Sequence, residues 1–222
     1  MFRGFVLGAA GAALSLSLLA QQAQAQMMAP VTMNYGRAYV GGTVGVIIPE
    51  SLHISASGAV VGSSDLTFNA GPAFSGLIGY HLNDYLAVEG ELGYASFDED
   101  SFAGASVDGH LNTVFGFGNL IVTPWGRSGF SPYIGGGIGF TNFDETVNTI
   151  GGVPVNSSAS ETDFAANFIA GFQIPVANRW SVGGRYRFVW VNASSTTTNG
   201  AVSISQGDFT AHVITANATF HF

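Results

Sequence analysis

The amino-acid sequence predicts an all-β fold, an eight-stranded antiparallel up-and-down transmembrane β-barrel, and three observations predict it. Charged residues make up 9% of the chain against 47% hydrophobic, whereas a water-facing surface usually carries about 25–35% charged residues. An ordinary soluble domain is thereby excluded. Beyond residue 25 no apolar run reaches the roughly 20 residues that a spanning helix needs, which excludes a helical bundle as well. Segments of apolar and small or polar residues in strict alternation hide their hydrophobicity from such a search, as barrel strands do. Finally, the connections between these segments alternate between long polar ones and short tight ones, the asymmetry of a membrane barrel.

Taken in order, the chain opens with Arg3, an apolar run over 5–20 and the small-residue sequence Ala23-Gln24-Ala25. These are the three parts of a secretory signal peptide, with cleavage expected after Ala25. The apolar run is too short to serve as a membrane anchor. Residues 1–25 are therefore set apart, 26–37 form a short periplasmic segment, and 38–222 form the barrel. Absence of cysteine suits export through an oxidising compartment.

Eight strands are expected at 38–49, 66–82, 85–97, 110–123, 131–143, 163–176, 180–191 and 208–222. The seventh is the clearest: Trp180, Val182, Gly184, Tyr186, Phe188 and Trp190 share one face, and Ser181, Gly183, Arg185, Arg187 and Val189 the other. Period two is the signature of a strand with unlike faces. The third sets Leu86, Val88, Gly90, Leu92 and Tyr94 against Glu89, Glu91 and Gly93. The sixth sets Phe164, Ala166, Phe168, Ala170, Phe172 and Ile174 against Asn167, Gly171 and Gln173. In the fourth and fifth both faces carry large apolar residues, so the alternation there is less clear.

Alternation alone does not say which face points inward, since a soluble barrel would reverse it. The polar face is built from Gly, Ser, Thr and Asn, which suit a narrow eight-stranded interior better than a solvated exterior. Trp180 and Trp190 stand at opposite ends of the apolar face, with Tyr186 between them, as girdle aromatics do at two membrane interfaces. The chain also closes on aromatics of one face, Phe220 and Phe222.

At this point the sequence resembles the small outer-membrane barrels that include opacity proteins, OmpA-like transmembrane domains and alphaproteobacterial surface antigens. The resemblance rests on Tyr39-Val40-Gly41-Gly42, on 131–140 (SPYIGGGIGF), on Gly183-Gly184-Arg185-Tyr186-Arg187-Phe188 and on the terminal Phe222. It covers most of the chain after the signal segment. It implies the bacterial outer membrane as location, outer-membrane lipids and lipopolysaccharide as surroundings, and recognition of the terminal aromatic strand by the barrel-assembly machinery. Phe220 and Phe222 are the residues that would carry that assembly signal.

Charge placement is the remaining source of functional expectations. Of the 14 acids, all but Asp84, Glu89 and Glu91 fall in or beside the four long connections. Such acidic loops stay soluble and repel one another, and they would also attract cations or cationic partners. The run Asp98-Glu99-Asp100 lacks the spacing of a dedicated calcium loop, so no metal is expected. Glu89 and Glu91 project into the lumen from the third strand, and Arg185 and Arg187 do so from the seventh. Unpaired charge in a narrow interior is costly, so the four are expected to pair. The family includes enzymes that remodel lipid A with a rim histidine, but His212 falls on the lipid face without a His-x-Ser-Asn sequence. No catalytic residue, cofactor or nucleic-acid partner is expected. The reading is a structural surface protein whose acidic extracellular loops meet a host or environmental ligand. The alternatives are a narrow porin or OmpW-like channel for small ions or apolar molecules and, behind it, a lipid A-modifying enzyme.

Overall fold

The computed structural model describes residues 36–58, 62–102, 105–127, 129–150, 153–193, 195–199 and 202–222. The expected signal segment 1–25, its expected cleavage point and all but residues 36 and 37 of the expected periplasmic segment lie outside these residues. Twelve strands form: β1 (Ala38–Pro49), β2 (Leu52–Gly58), β3 (Gly62–Phe68), β4 (Gly71–His81), β5 (Leu86–Phe102), β6 (Ala105–Val122), β7 (Ser131–Ile150), β8 (Val153–Ala177), β9 (Trp180–Val191), β10 (Ser195–Asn199), β11 (Val202–Gln206) and β12 (Phe209–His221). Eight of them close into an antiparallel ring in the order β1, β4, β5, β6, β7, β8, β9, β12 and back to β1. This is the eight-stranded barrel that the alternation predicts. Closure leaves no free backbone groups along the wall, which is what lets strands cross a membrane at all.

Two expectations about the connections are corrected. The segment 66–82 is not one strand: β3 ends at Phe68 and β4 begins at Gly71. Asn69, Gly71 and Pro72 supply turn chemistry and a missing N–H at that point, and β3 leaves the ring to pair with β2. The long connections are also not irregular loops. β5 and β6 stay paired out to Phe102 opposite Ala105, and β7 and β8 out to Ile150 opposite Val153. Register shifts between Glu99 and Ser101 and between Val147 and Thr149 mark bulges in these ribbons. Their Ser, Thr, Val and Ile residues suit strands, and continued pairing satisfies backbone groups that a loop would leave to water. Asp98, Asp108, Asp144, Glu145, Glu161 and Asp163 therefore stand on strands.

Inside the barrel the half nearer the long hairpins is apolar rather than small and polar. Ile47, Phe97, Leu111, Phe115, Phe117, Val191, Phe209 and Val213 are buried together. Phe97 stacks on Phe209 at 6.0 Å, and Phe68 meets both rings edge-on at 5.7 and 6.0 Å. The ambiguous fourth strand is thereby settled: Phe115, Phe117 and Ile121 point inward, Val114 and Leu120 outward. Inward glycines on the neighbouring strands make the room, since a Cβ on Gly93 would come within 2.2 Å of the Phe115 ring. Each such side chain withdrawn from water contributes about 1.5–3 kcal/mol. A smaller apolar layer of Tyr39, Leu77, Ala87, Ile121, Tyr133 and Ile169 lines the end with short turns.

Candidate functional site

Between these two apolar layers lies the charged one. Glu89 and Glu91 enter from β5, and Arg185 and Arg187 from β9, four strands away around a ring of eight. All four are buried, at 3–5% exposure. Arg185 donates from Nη1 and Nη2 to the two oxygens of Glu89 at 2.8 and 3.0 Å, and from Nη1 to Glu91 Oε2 at 3.0 Å. Arg187 Nη2 donates to the same Glu91 oxygen. Two carboxylates and two guanidiniums thus form one neutral, bidentate network across the lumen. Charge-assisted bonds of this geometry are the strong ones.

Neighbouring side chains complete the network. Tyr39 Oη donates to Glu89 Oε2 at 3.2 Å, Ser75 Oγ to Glu91 Oε1 at 2.6 Å, and Arg185 Nε to Tyr133 Oη at 3.1 Å. The Arg187 guanidinium lies 5.4 and 5.5 Å from the ring centres of Phe115 and Phe117. In the sequence Tyr39 and Tyr133 mark only the family resemblance, and nothing in it ties them or Ser75 to the four charges. Their inward parity was the available signal. Toward the short turns, Asn167 Nδ2 donates to Asn119 Oδ1 at 3.0 Å, and Ser181 Oγ lies 3.0 Å from His221 Nε2. Polar side chains thus continue across the lumen below the charged layer.

A second constellation stands on the outer wall near the long hairpins. Glu50 Oε1 lies 2.9 Å from His212 Nε2, and His212 Nδ1 lies 2.8 Å from Tyr186 Oη. Thr210 Oγ1 donates to Glu50 Oε2 at 2.5 Å. The Thr210 hydroxyl, and after it His212, hold the Glu50 carboxyl below the usual carboxylate range. An acid, an imidazole and a hydroxyl in line have the order of a proton relay. An oxyanion needs free donors as well, and the backbone beside His212 is paired on both sides, to β1 and to β9.

The remaining predicted residues fall as follows. Trp180 is exposed at the short-turn end, and Trp190 donates from Nε1 to Asp208 at 3.0 Å near the other end. The ten residue steps from Trp180 to Trp190, at about 3.3 Å each and tilted about 40°, span the roughly 25 Å of a barrel's apolar band. Tyr186 lies between the two and is tied to His212 rather than standing at a rim. Phe220 packs between Trp180 at 5.1 Å and Phe222 at 5.2 Å. Among the acids of the hairpins, Asp98 is engaged by His110 at 2.6 Å and Asp65 by His53 at 2.7 Å. Among the described residues no group of three or more His, Asp or Glu is arranged to hold a metal ion.

A closed ring of eight antiparallel strands, aliphatic and aromatic side chains turned outward and polar groups sealed within define an outer-membrane β-barrel. The chain belongs to the outer membrane protein β-barrel domain family, whose family model matches residues 11–222. It is similar to the outer membrane protein OprG from Pseudomonas aeruginosa at 13% identity and a TM-score of 0.60, over 86% of this chain and 99% of that one. The outer membrane protein AlkL, solved in lipid bilayers, is similar at 17% identity and 0.55, over 87% and 94%. The outer membrane protease OmpT from Escherichia coli is similar at 8% and 0.55, over 88% and 100%. At these identities the likeness is one of fold. No curated protein matches the sequence. The bacterial outer membrane is accordingly where this protein resides.

Proposed function

We propose that this barrel is a closed, non-enzymatic surface protein whose acidic outward hairpins contact the environment or a host. The observation that carries the reading is the charged network of Glu89, Glu91, Arg185 and Arg187, which spans the lumen and satisfies its own charges. The apolar layer above it has the lining of a conduit for apolar molecules but not the room. The cavity among Ile47, Phe115, Phe117, Val191, Phe209 and Val213 measures about 20 Å³, close to the space of one water. With the network and the two apolar layers filling the lumen among the described residues, the parts left to act are the wall and the hairpins. Phe220 and Phe222 serve assembly, as aromatic ends of the last strand offered to the barrel-assembly machinery, and Trp180 and Trp190 anchor the wall at its two interfaces. The hairpin acids then meet cations or cationic surfaces outside, by long-range attraction that salt weakens. Planar-bilayer recording tests the closed lumen: the purified protein is expected to insert without steady conductance. Ion-selective steps whose selectivity changes in Arg185→Ala/Arg187→Ala would make the narrow pore the better reading.

A further inference from the structure

Outside the lumen the described chain carries three arginines, and all three stand at the short-turn end: Arg37 before β1, Arg127 between β6 and β7, and Arg179 between β8 and β9. Arg127 is engaged, with Nη2 donating to Asp84 at 3.0 Å and Nη1 to the Gly36 carbonyl at 3.4 Å. Arg37 and Arg179 are exposed, and neither side chain makes an ion pair or hydrogen bond among the described residues. Their backbones fix where they stand. The Arg37 carbonyl accepts from His81 N, the Arg179 carbonyl accepts from His221 N, and Phe222 N donates to the Ala38 carbonyl. The end of β12 thus runs out between the two arginines, which puts their backbones about two strand spacings, roughly 10 Å, apart.

The depth of this end in the membrane is set by aromatics. Tyr85, Trp125, Phe130, Trp180 and Phe222 are all exposed there. Belts of this kind sit at the headgroup level. Arg179 adjoins Trp180, so the free guanidiniums stand among phosphates rather than in open periplasm. Directly beside them the Trp180–Phe220–Phe222 cluster offers an apolar wall. Among the described residues the acidic side chain at this end is Asp84, already held by Arg127, and residues 26–36 carry no acidic residue.

We propose that Arg37 and Arg179 bind the phosphate of an anionic phospholipid in the inner leaflet, whose acyl chain lies on the Trp180–Phe220–Phe222 wall. A guanidinium presents paired N–H groups that match phosphate oxygens. A basic residue at an anionic membrane surface favours it by about fivefold. Two such residues give an enrichment of about 25-fold over a zwitterionic lipid. This site is independent of whether the lumen conducts.

The chain has three tryptophans, and Trp190→Phe leaves Trp125 and Trp180, both at this end, as reporters. The full protein with that change is reconstituted into phosphatidylcholine vesicles doped with equal small fractions of brominated phosphatidylglycerol or brominated phosphatidylcholine. Phosphatidylglycerol is expected to quench the tryptophans at the lower fraction, and the preference is expected to fall as salt rises. It should vanish in Arg37→Gln/Arg179→Gln, which breaks no bond among the described residues. Equal quenching by the two lipids, a preference that salt does not weaken, or one that persists in the double variant would overturn the proposal. Displacement by inorganic phosphate, but not by chloride of equal ionic strength, would assign the site to a soluble anion and overturn the lipid source. The salt titration needs no arginine variant, so a double variant that failed to fold would not shelter the idea.

Discussion

Arg185 meets Glu89 with two parallel bonds and Glu91 with a third, a geometry that a lysine's point charge does not reproduce. Removing one side of a buried pair costs about 3–5 kcal/mol, because the partner is left charged and desolvated. Arg185→Ala/Arg187→Ala is therefore expected to lose stability of that order in denaturant unfolding. Replacing Glu89 and Glu91 by neutral residues in the same protein should recover part of the loss, since no charge is stranded. A quadruple variant less stable than the double one would show that the network is not held by pairing. On the outer wall, Glu50 has its carboxyl lowered chiefly by the Thr210 hydroxyl. A group lowered in the folded state contributes stability above its unfolded pKa and loses it as pH falls through the folded one. Thr210→Val should then raise the Glu50 titration midpoint toward the ordinary carboxylate value, as read by carbon-13 NMR of that side chain; an unmoved midpoint would assign the lowering elsewhere. The Glu–Arg pairing was legible because strand parity and ring order suffice to place it. The Glu50–His212–Tyr186 contacts were not, since they join three strands by register, which the sequence does not state.

At the scale of the element, β1 and β9 match the expected 38–49 and 180–191 residue for residue. Both are crossed by the apolar band over their whole length, so alternation starts and stops with the strand. β5 to β8 run past their expected ends because pairing continues beyond the membrane, into stretches such as 98–101 (DEDS) and 156–162 (NSSASET) that are polar on nearly every position and carry no alternation. The large apolar lumen residues were hidden for a related reason: Phe115 inside and Val114 outside give no contrast in hydropathy. What distinguishes them is an absent Cβ directly opposite on the neighbouring strand. Gly79 is the clearest case, since a Cβ there would come within 2.0 Å of the Tyr39 ring. Gly79→Ala is expected to push that ring off Glu89 and cost about 1–3 kcal/mol, the usual range for overpacking. Gly76, with nothing within 4 Å of its missing Cβ, is the matched control on the same strand. Equal stability of the two alanine variants in thermal unfolding would count against the ring-on-glycine packing.

Across the described barrel the charges separate along its axis, with the hairpin acids at one end and the three described arginines outside the lumen at the other. Short turns face the periplasm in outer-membrane barrels and long connections face outward, so the acidic end is the one that meets the outside. The surface role rests on that orientation, and the chain allows a direct test because it contains no cysteine. A thiol placed on a hairpin and one placed on a turn become unique labelling sites. Ser160 on β8 and Asn178 in the β8–β9 turn are both exposed, so neither substitution disturbs the lumen. With a membrane-impermeant maleimide on intact cells, Ser160→Cys is expected to label at once and Asn178→Cys only after the outer membrane is permeabilised. The opposite pattern would put the arginines outside and the acids in the periplasm. In that case the hairpins would have no access to a host, and the basic end would face the outer leaflet.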